Sequence, residues 1–167
     1  MRPLARPFSG PIMTAPLGSG QSARGECTEI RPMKPRILVV DDREIVREGI
    51  RTLLGRTRSD WEICGEASNA GDALNAIKTL EPDIVILDIT MPGTSGLEVA
   101  LQVKNLRLPS RVLIFTMHDS ERLATEVRNA GAQGYVLKSQ AARDLVLAIE
   151  RILSGGTFFS PPSLTSA

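Results

Sequence analysis

A chain of 167 residues is long enough to close one domain around a proper core, with some length to spare. Its 20 Lys and Arg against 19 Asp and Glu leave a formal charge of +1, which is neither the basic footprint of a nucleic-acid binder nor a polybasic membrane patch. No apolar run nears the roughly 20 residues that cross a bilayer, the N-terminus lacks the apolar stretch of a secretory signal, and Cys27 and Cys64 have no metal-ligand spacing, so a soluble cytoplasmic protein with reduced thiols is expected.

Residues 1–34 are rich in Pro, Gly, Ser and Ala and hold no helical or strand period. Such a segment cannot bury enough apolar surface to offset its ordering entropy, and it reads as a disordered extension. Met33, like Met1 and Met13, is a possible start. From Arg36 the punctuation becomes regular. "RILVVD" is a short β-branched run, and "REIVREGIRTLLGRT" sets Ile45, Val46, Gly49, Ile50, Leu53 and Leu54 at helical spacing. "WEICGEA" is a second strand. "NAGDALNAIKTLEP" is a helix with Ala73, Leu74, Ile77 and Leu80 on one face and Pro82 beyond its end. "DIVILD" is a third strand, followed by the loop "ITMPGTSG" and the helix "LEVALQVKNLR". "RVLIFT" is a fourth strand, "SERLATEVRNAGA" a helix stopped at Gly131, and "GYVLK" a fifth strand. "AARDLVLAIERILSGG" closes the series with a stripe of Leu145, Val146, Ile149, Ile152 and Leu153 and two terminal glycines. The remainder, 156–167, reads as a polar tail or linker in which Phe158 and Phe159 either pack back on the last helix or do not.

Apolar strands alternating with helices predict a parallel sheet covered on both faces. Five strands with right-handed crossovers suit a flavodoxin-like, doubly wound α/β sandwich over 35–155, in strand order 2-1-3-4-5. In such a sheet, ligands bind beyond the carboxyl ends of the strands. Strand one ends in Asp41 and Asp42, strand three in Asp88, strand four in Thr116 and strand five in Lys138. These four strands are neighbours, so three acids, a hydroxyl and an ammonium converge on one crevice. Two such carboxylates about 4 Å apart near a surface repel by roughly 4 kcal/mol. A hard divalent cation removes that cost, and magnesium takes one or two carboxylates together with phosphate oxygens. Alone, any one of these acids reads as a helix cap or a solvated loop residue, Asp42 before the first helix above all. As a set they read as a magnesium site beside an aspartate nucleophile, Asp88, able to accept a phosphoryl group as an acyl phosphate. Lys138 and the Thr116 hydroxyl would then neutralise the phosphoryl oxygens.

The pattern "VVDD…LDITMPGTSG…FTMH…GYVLKS" resembles the receiver domain of bacterial two-component response regulators. "DREIVREGIRTLL", "GAQGYVLKS" and "GGTFFSP" look most like receivers joined to LuxR-type helix-turn-helix domains. The resemblance implies a non-enzymatic phosphorelay switch, which receives its phosphoryl group from a sensor histidine kinase or phosphotransfer protein. It implies Asp88 as phosphoacceptor, and Asp41 and Asp42 as the acidic pair holding Mg2+ together with Asp88 and the carbonyl of Thr90. Thr116 falls on the switch hydroxyl, Tyr135 on the switch aromatic and Lys138 on the family's lysine, while Met91, Pro92 and Gly96 match the loop that shapes the site. A phosphorylation-dependent homodimer is a further expectation.

Three departures stand out. The family's lysine is commonly followed by a cis proline, whereas Ser139 follows here and a non-proline cis bond costs about 3 kcal/mol. Met117 replaces the usual small residue after the switch threonine and should narrow access to the pocket. No helix-turn-helix pattern or basic stripe follows Gly156, so nucleic-acid binding is not expected of this chain, nor is a membrane partner. The sole histidine, His118, reads as a loop residue, Trp61 as packing, and Gly55 and Gly71 as helix-end or turn positions. Two other readings compete: a haloacid-dehalogenase-like phosphatase, whose nucleophile would lie on strand one as D-x-D, and an inactive receiver-like interaction module.

Overall fold

The computed structural model describes residues 33–160. The expected N-terminal extension therefore lies outside the described residues but for its last two, and so does the tail from 161 onward. The strands are β1 (Arg36–Val40), β2 (Glu62–Ala67), β3 (Ile84–Asp88), β4 (Arg111–Thr116), β5 (Gly134–Leu137) and β6 (Phe158–Phe159). The helices are α1 (Glu44–Thr57), α2 (Ala70–Leu80), α3 (Gly96–Asn105), α4 (Leu123–Asn129) and α5 (Ala141–Leu153). All pairings are parallel, in the order β2-β1-β3-β4-β5-β6.

Alternation along each strand divides the core in two. Ile37 and Val39 of β1 face α1 and α5, where they meet Ile50, Leu54, Leu145, Ile149 and Ile152. Leu38 and Val40 point the other way, toward Ala73 and Ile77 of α2 and the apolar faces of α3 and α4. This is the two-sided burial that continuous Val/Ile/Leu strands require.

The expected strand order holds, with one correction: the sheet has six strands rather than five. Phe158 and Phe159 do more than pack on the last helix, since they pair with Gly134 and Tyr135 at the β5 edge. Gly134 makes this possible. A Cβ there would stand 1.8 Å from the Phe158 carbonyl oxygen, so only glycine admits the added strand. Phe158 joins the α1/α5 core, and Phe159 packs against the opposite one.

Helix boundaries follow local chemistry. Asn69 caps α2 by accepting from the Asp72 N–H at 2.8 Å. Ser95 and Glu98 form a capping box at the start of α3. The helix expected from Ser120 to Ala132 shortens to α4, closed by Gly131 at φ +82°. Gly55 lies in the last turn of α1 and Gly71 in the first turn of α2, both near helix ends.

Two glycines predict opposite effects. A Cβ on Gly96 would approach the Asp88 carbonyl oxygen to 2.0 Å, a backbone clash with no flexible neighbour to yield. Gly96→Ala should destabilise the fold by about 2 kcal/mol or more. Gly49 lies inside α1 with nothing within 4 Å of the added atom. Gly49→Ala should stabilise it by about 0.5–1 kcal/mol. Urea unfolding monitored by circular dichroism checks both.

Candidate functional site

The parallel sheet sends four neighbouring strands toward one edge, and each delivers a functional group there. Asp41 follows the last residue of β1 and is buried, held by its N–H to the Ala67 carbonyl at 3.1 Å. The Arg43 N–H donates to its Oδ1 at 2.9 Å, and the Arg47 guanidinium donates to its carbonyl at 2.7 Å. Asp42 is exposed and does not cap α1; the cap position is Arg43, with no side-chain bond. Asp88 is the last residue of β3 and is 2% exposed. Thr116 closes β4, its hydroxyl oxygen accepting the His118 N–H at 3.1 Å. Lys138 lies one residue past β5, opening a 3-10 turn over Lys138–Gln140.

These groups meet. Asp41, Asp42 and Asp88 each offer a carboxylate oxygen within 4.8 Å of the others. The Lys138 Nζ stands 2.5 Å from Asp41 Oδ2 and 3.3 Å from Asp88 Oδ1. Among the described residues no peptide bond is cis, and with Ser139 after it the ammonium still reaches both acids. The Thr90 N–H donates to Asp88 Oδ1 at 3.3 Å, while Asp88 Oδ2 is buried without a partner. A crevice of about 480 Å³ opens above, lined by Asp42, Arg43, Asp88, Thr90, Met117 and His118. Tyr135 stands apart from it, buried on the α4 side of the sheet.

The chain is similar to known proteins. The family profile described as "Response regulator receiver domain" matches residues 37–150. The chain belongs to the response regulator receiver family. Among its relatives, the transcriptional regulatory protein LnrK of Bacillus subtilis is 39% identical over 132 residues, covering 78% of this chain and 59% of that one. The probable transcriptional regulatory protein NarL of Mycobacterium tuberculosis is 34% identical over 131 residues, covering 78% and 60%. A LuxR-family two-component response regulator from Aurantimonas superposes with a TM-score of 0.71 at 43% identity, covering 75% of this chain and 89% of that one. The receiver thus spans about three fifths of the length of these curated relatives. Among the described residues no helix is long and apolar enough to cross a membrane.

Within this receiver, burial pushes the Asp88 carboxyl above its ordinary range; the Lys138 ammonium pulls against that shift and the Asp41 charge adds to it. An orphaned, buried carboxylate oxygen beside two further acids forms a hard, all-oxygen donor set, which fits a magnesium-type cation.

Two arginines escaped the reading from sequence. Arg47 ties the Asp41 carbonyl to Glu66, which also accepts from Arg51. Arg43 reaches across the crevice to the Met117 sulfur at 3.5 Å. Their only signal was position, one and five residues after the acidic pair.

The buried carboxylate of Asp88, one oxygen of which has no partner, predicts a stability cost. Asp88→Asn should stabilise the fold at pH 7 by about 1 kcal/mol, the charge penalty less the lost Lys138 contact. The wild-type carboxyl takes up its proton at a raised pKa. As the pH falls through that value wild-type Asp88 becomes neutral, so the advantage of the variant should shrink. Chemical denaturation of both proteins at pH 7 and pH 4.5 measures it.

Proposed function

We propose that this receiver is a phosphoacceptor switch that takes a phosphoryl group on Asp88 from a histidine kinase. One observation carries the reading: Lys138 holds its ammonium between Asp41 and Asp88 while the second Asp88 oxygen is buried and unpartnered. In the transfer, an Asp88 oxygen bonds to phosphorus as the phosphorus–nitrogen bond to the donor histidine breaks. The imidazole nitrogen keeps that electron pair and takes a proton from water. The Lys138 ammonium, already in place, and the Thr116 hydroxyl, once it has moved, then each bind a phosphoryl oxygen and meet the new negative charge.

Asp41, Asp42, Asp88 and the Thr90 carbonyl are the groups that would hold Mg2+, which when bound neutralises phosphoryl charge. Asp88 supplies the nucleophile, and no separate base is required of this chain. Thr116 moves toward the phosphoryl group, and Tyr135 follows into the space it leaves. A ligand shifts such an equilibrium only by binding one conformation better, and the Thr116 hydroxyl supplies that difference. The altered surface lies around α4, β5 and α5, where a second copy or a partner would dock. In a protein of the relatives' length, that switch would govern transcription.

Incubation with acetyl phosphate and Mg2+ should add one phosphoryl group, seen by intact mass and by Phos-tag migration. Asp88→Asn should abolish it, and full labelling of that variant would remove Asp88 from the role. Chelation with EDTA should suppress labelling of the wild type.

Met117 governs how long the group stays. Its side chain is 66% exposed at the mouth of the crevice, where Arg43 reaches its sulfur. Loss of the group requires a water oxygen to bond to phosphorus while the Asp88–phosphorus bond breaks. Met117→Ala should speed that loss by about 3- to 10-fold, a change of about 1 kcal/mol in the barrier. The decay of phosphorylated protein after donor removal reports it, and an unchanged or slower decay would count against the gate.

A further inference from the structure

The Tyr135 ring is enclosed, yet its hydroxyl is not idle. It donates to the Ser160 carbonyl at 2.9 Å in a buried bond that spans 25 residues of sequence. Burial, with the Asp119 charge behind it, keeps the phenol above its ordinary pKa, so the O–H remains a donor. Four further contacts tie the same segment down. The Phe159 ring meets Tyr135 edge-on, with centroids 6.0 Å apart. The Arg128 guanidinium of α4 lies 4.1 Å from the centre of the Phe159 ring. The Phe158 N–H donates to the Gln133 carbonyl at 3.1 Å and the Ser160 N–H to the Tyr135 carbonyl at 3.2 Å.

We infer that Tyr135 is a latch that holds the C-terminal strand β6 against β5, and that phosphorylation of Asp88 releases it. This rests on the phosphoacceptor reading of Asp88. Ile114 pairs with Tyr135 and Thr116 with Leu137, so the Thr116 and Tyr135 side chains emerge on the same face, one step apart on adjoining strands. When Thr116 shifts toward a phosphoryl oxygen, the space it leaves lies on the β4 side of the Tyr135 ring. Ser160 lies on the opposite side, beyond β5. A ring that follows Thr116 therefore carries its hydroxyl away from the Ser160 carbonyl. The strand it leaves is the shortest in the sheet, two residues long and paired on one side only. The carbonyl loses its buried donor at that moment, and an unpartnered buried carbonyl is a strong incentive for the segment to part from the edge. The signal thus passes from a strand end to β6, at the C-terminal limit of the described residues.

Residue-resolved hydrogen exchange on the full chain tests this, with Tyr135→Phe as the variant that keeps the ring and removes only the donor. In the wild type, beryllofluoride with Mg2+ should speed exchange of the Phe158 and Ser160 amides by roughly 2- to 10-fold. Tyr135→Phe should show that faster exchange without beryllofluoride, and beryllofluoride should add little more. The latch is overturned if those two amides exchange at the wild-type rate in Tyr135→Phe. It is equally overturned if beryllofluoride perturbs the amides around Thr116 while Phe158 and Ser160 keep their protection. Failure of the phosphoacceptor reading looks different: acetyl phosphate leaves no adduct on Asp88, and beryllofluoride alters exchange nowhere in the chain.

Discussion

The Lys138 ammonium, shared by two buried aspartates, is the interaction on which the site rests. Without a cation at that point, Asp41 and Asp88 would face each other in a poorly solvated crevice, where like charges are costly. Lys138 offsets the cost for one oxygen of each and leaves Asp88 Oδ2 uncompensated. In the proposed switch, a metal and a phosphoryl group would answer the remaining imbalance. The sheet makes this arrangement possible, because only a parallel order brings the carboxyl ends of β1, β3, β4 and β5 to one edge.

The supports around these groups are backbone contacts more than side-chain pairs. Asp41 is held through its own carbonyl and N–H, by Arg47 and Ala67. Asp88 is held where α3 begins, since Gly96 lies flush against its carbonyl. Each acid is thus fixed at the main chain, leaving its carboxylate free to exchange partners as charge arrives. Such preorganisation would lower the reorganisation demanded by the proposed phosphoryl transfer.

Much of this was legible in the residues. Continuous β-branched runs marked the strands, and the acids at the ends of "RILVVDD" and "DIVILD" marked the crevice. What escaped notice depends on tertiary encounter. A two-residue strand such as Phe158–Phe159 carries no period to detect, and its place is licensed by a glycine 24 residues earlier in the sequence. Arg43 and Arg47 read as the polar face of a helix, because nothing local says which cation will fold over an acid. The fourth helix is shorter than its composition predicts, since the polar residues Ser120 to Arg122 match helical composition without burying a face. Lys138 was placed as the end of a strand, although the chain already turns there.

The split core has a consequence for how the protein can vary. Ile37 and Leu38 are adjacent in sequence yet belong to separate apolar layers, as do Phe158 and Phe159. The sheet is therefore a partition. Side chains around α1 and α5 make their apolar contacts in a different layer from those around Tyr135 and α4. A large-to-small substitution in one layer should therefore leave its cavity chiefly among the side chains of that layer. The short C-terminal strand bridges both layers, and substitutions at its two phenylalanines would be felt in both compartments at once.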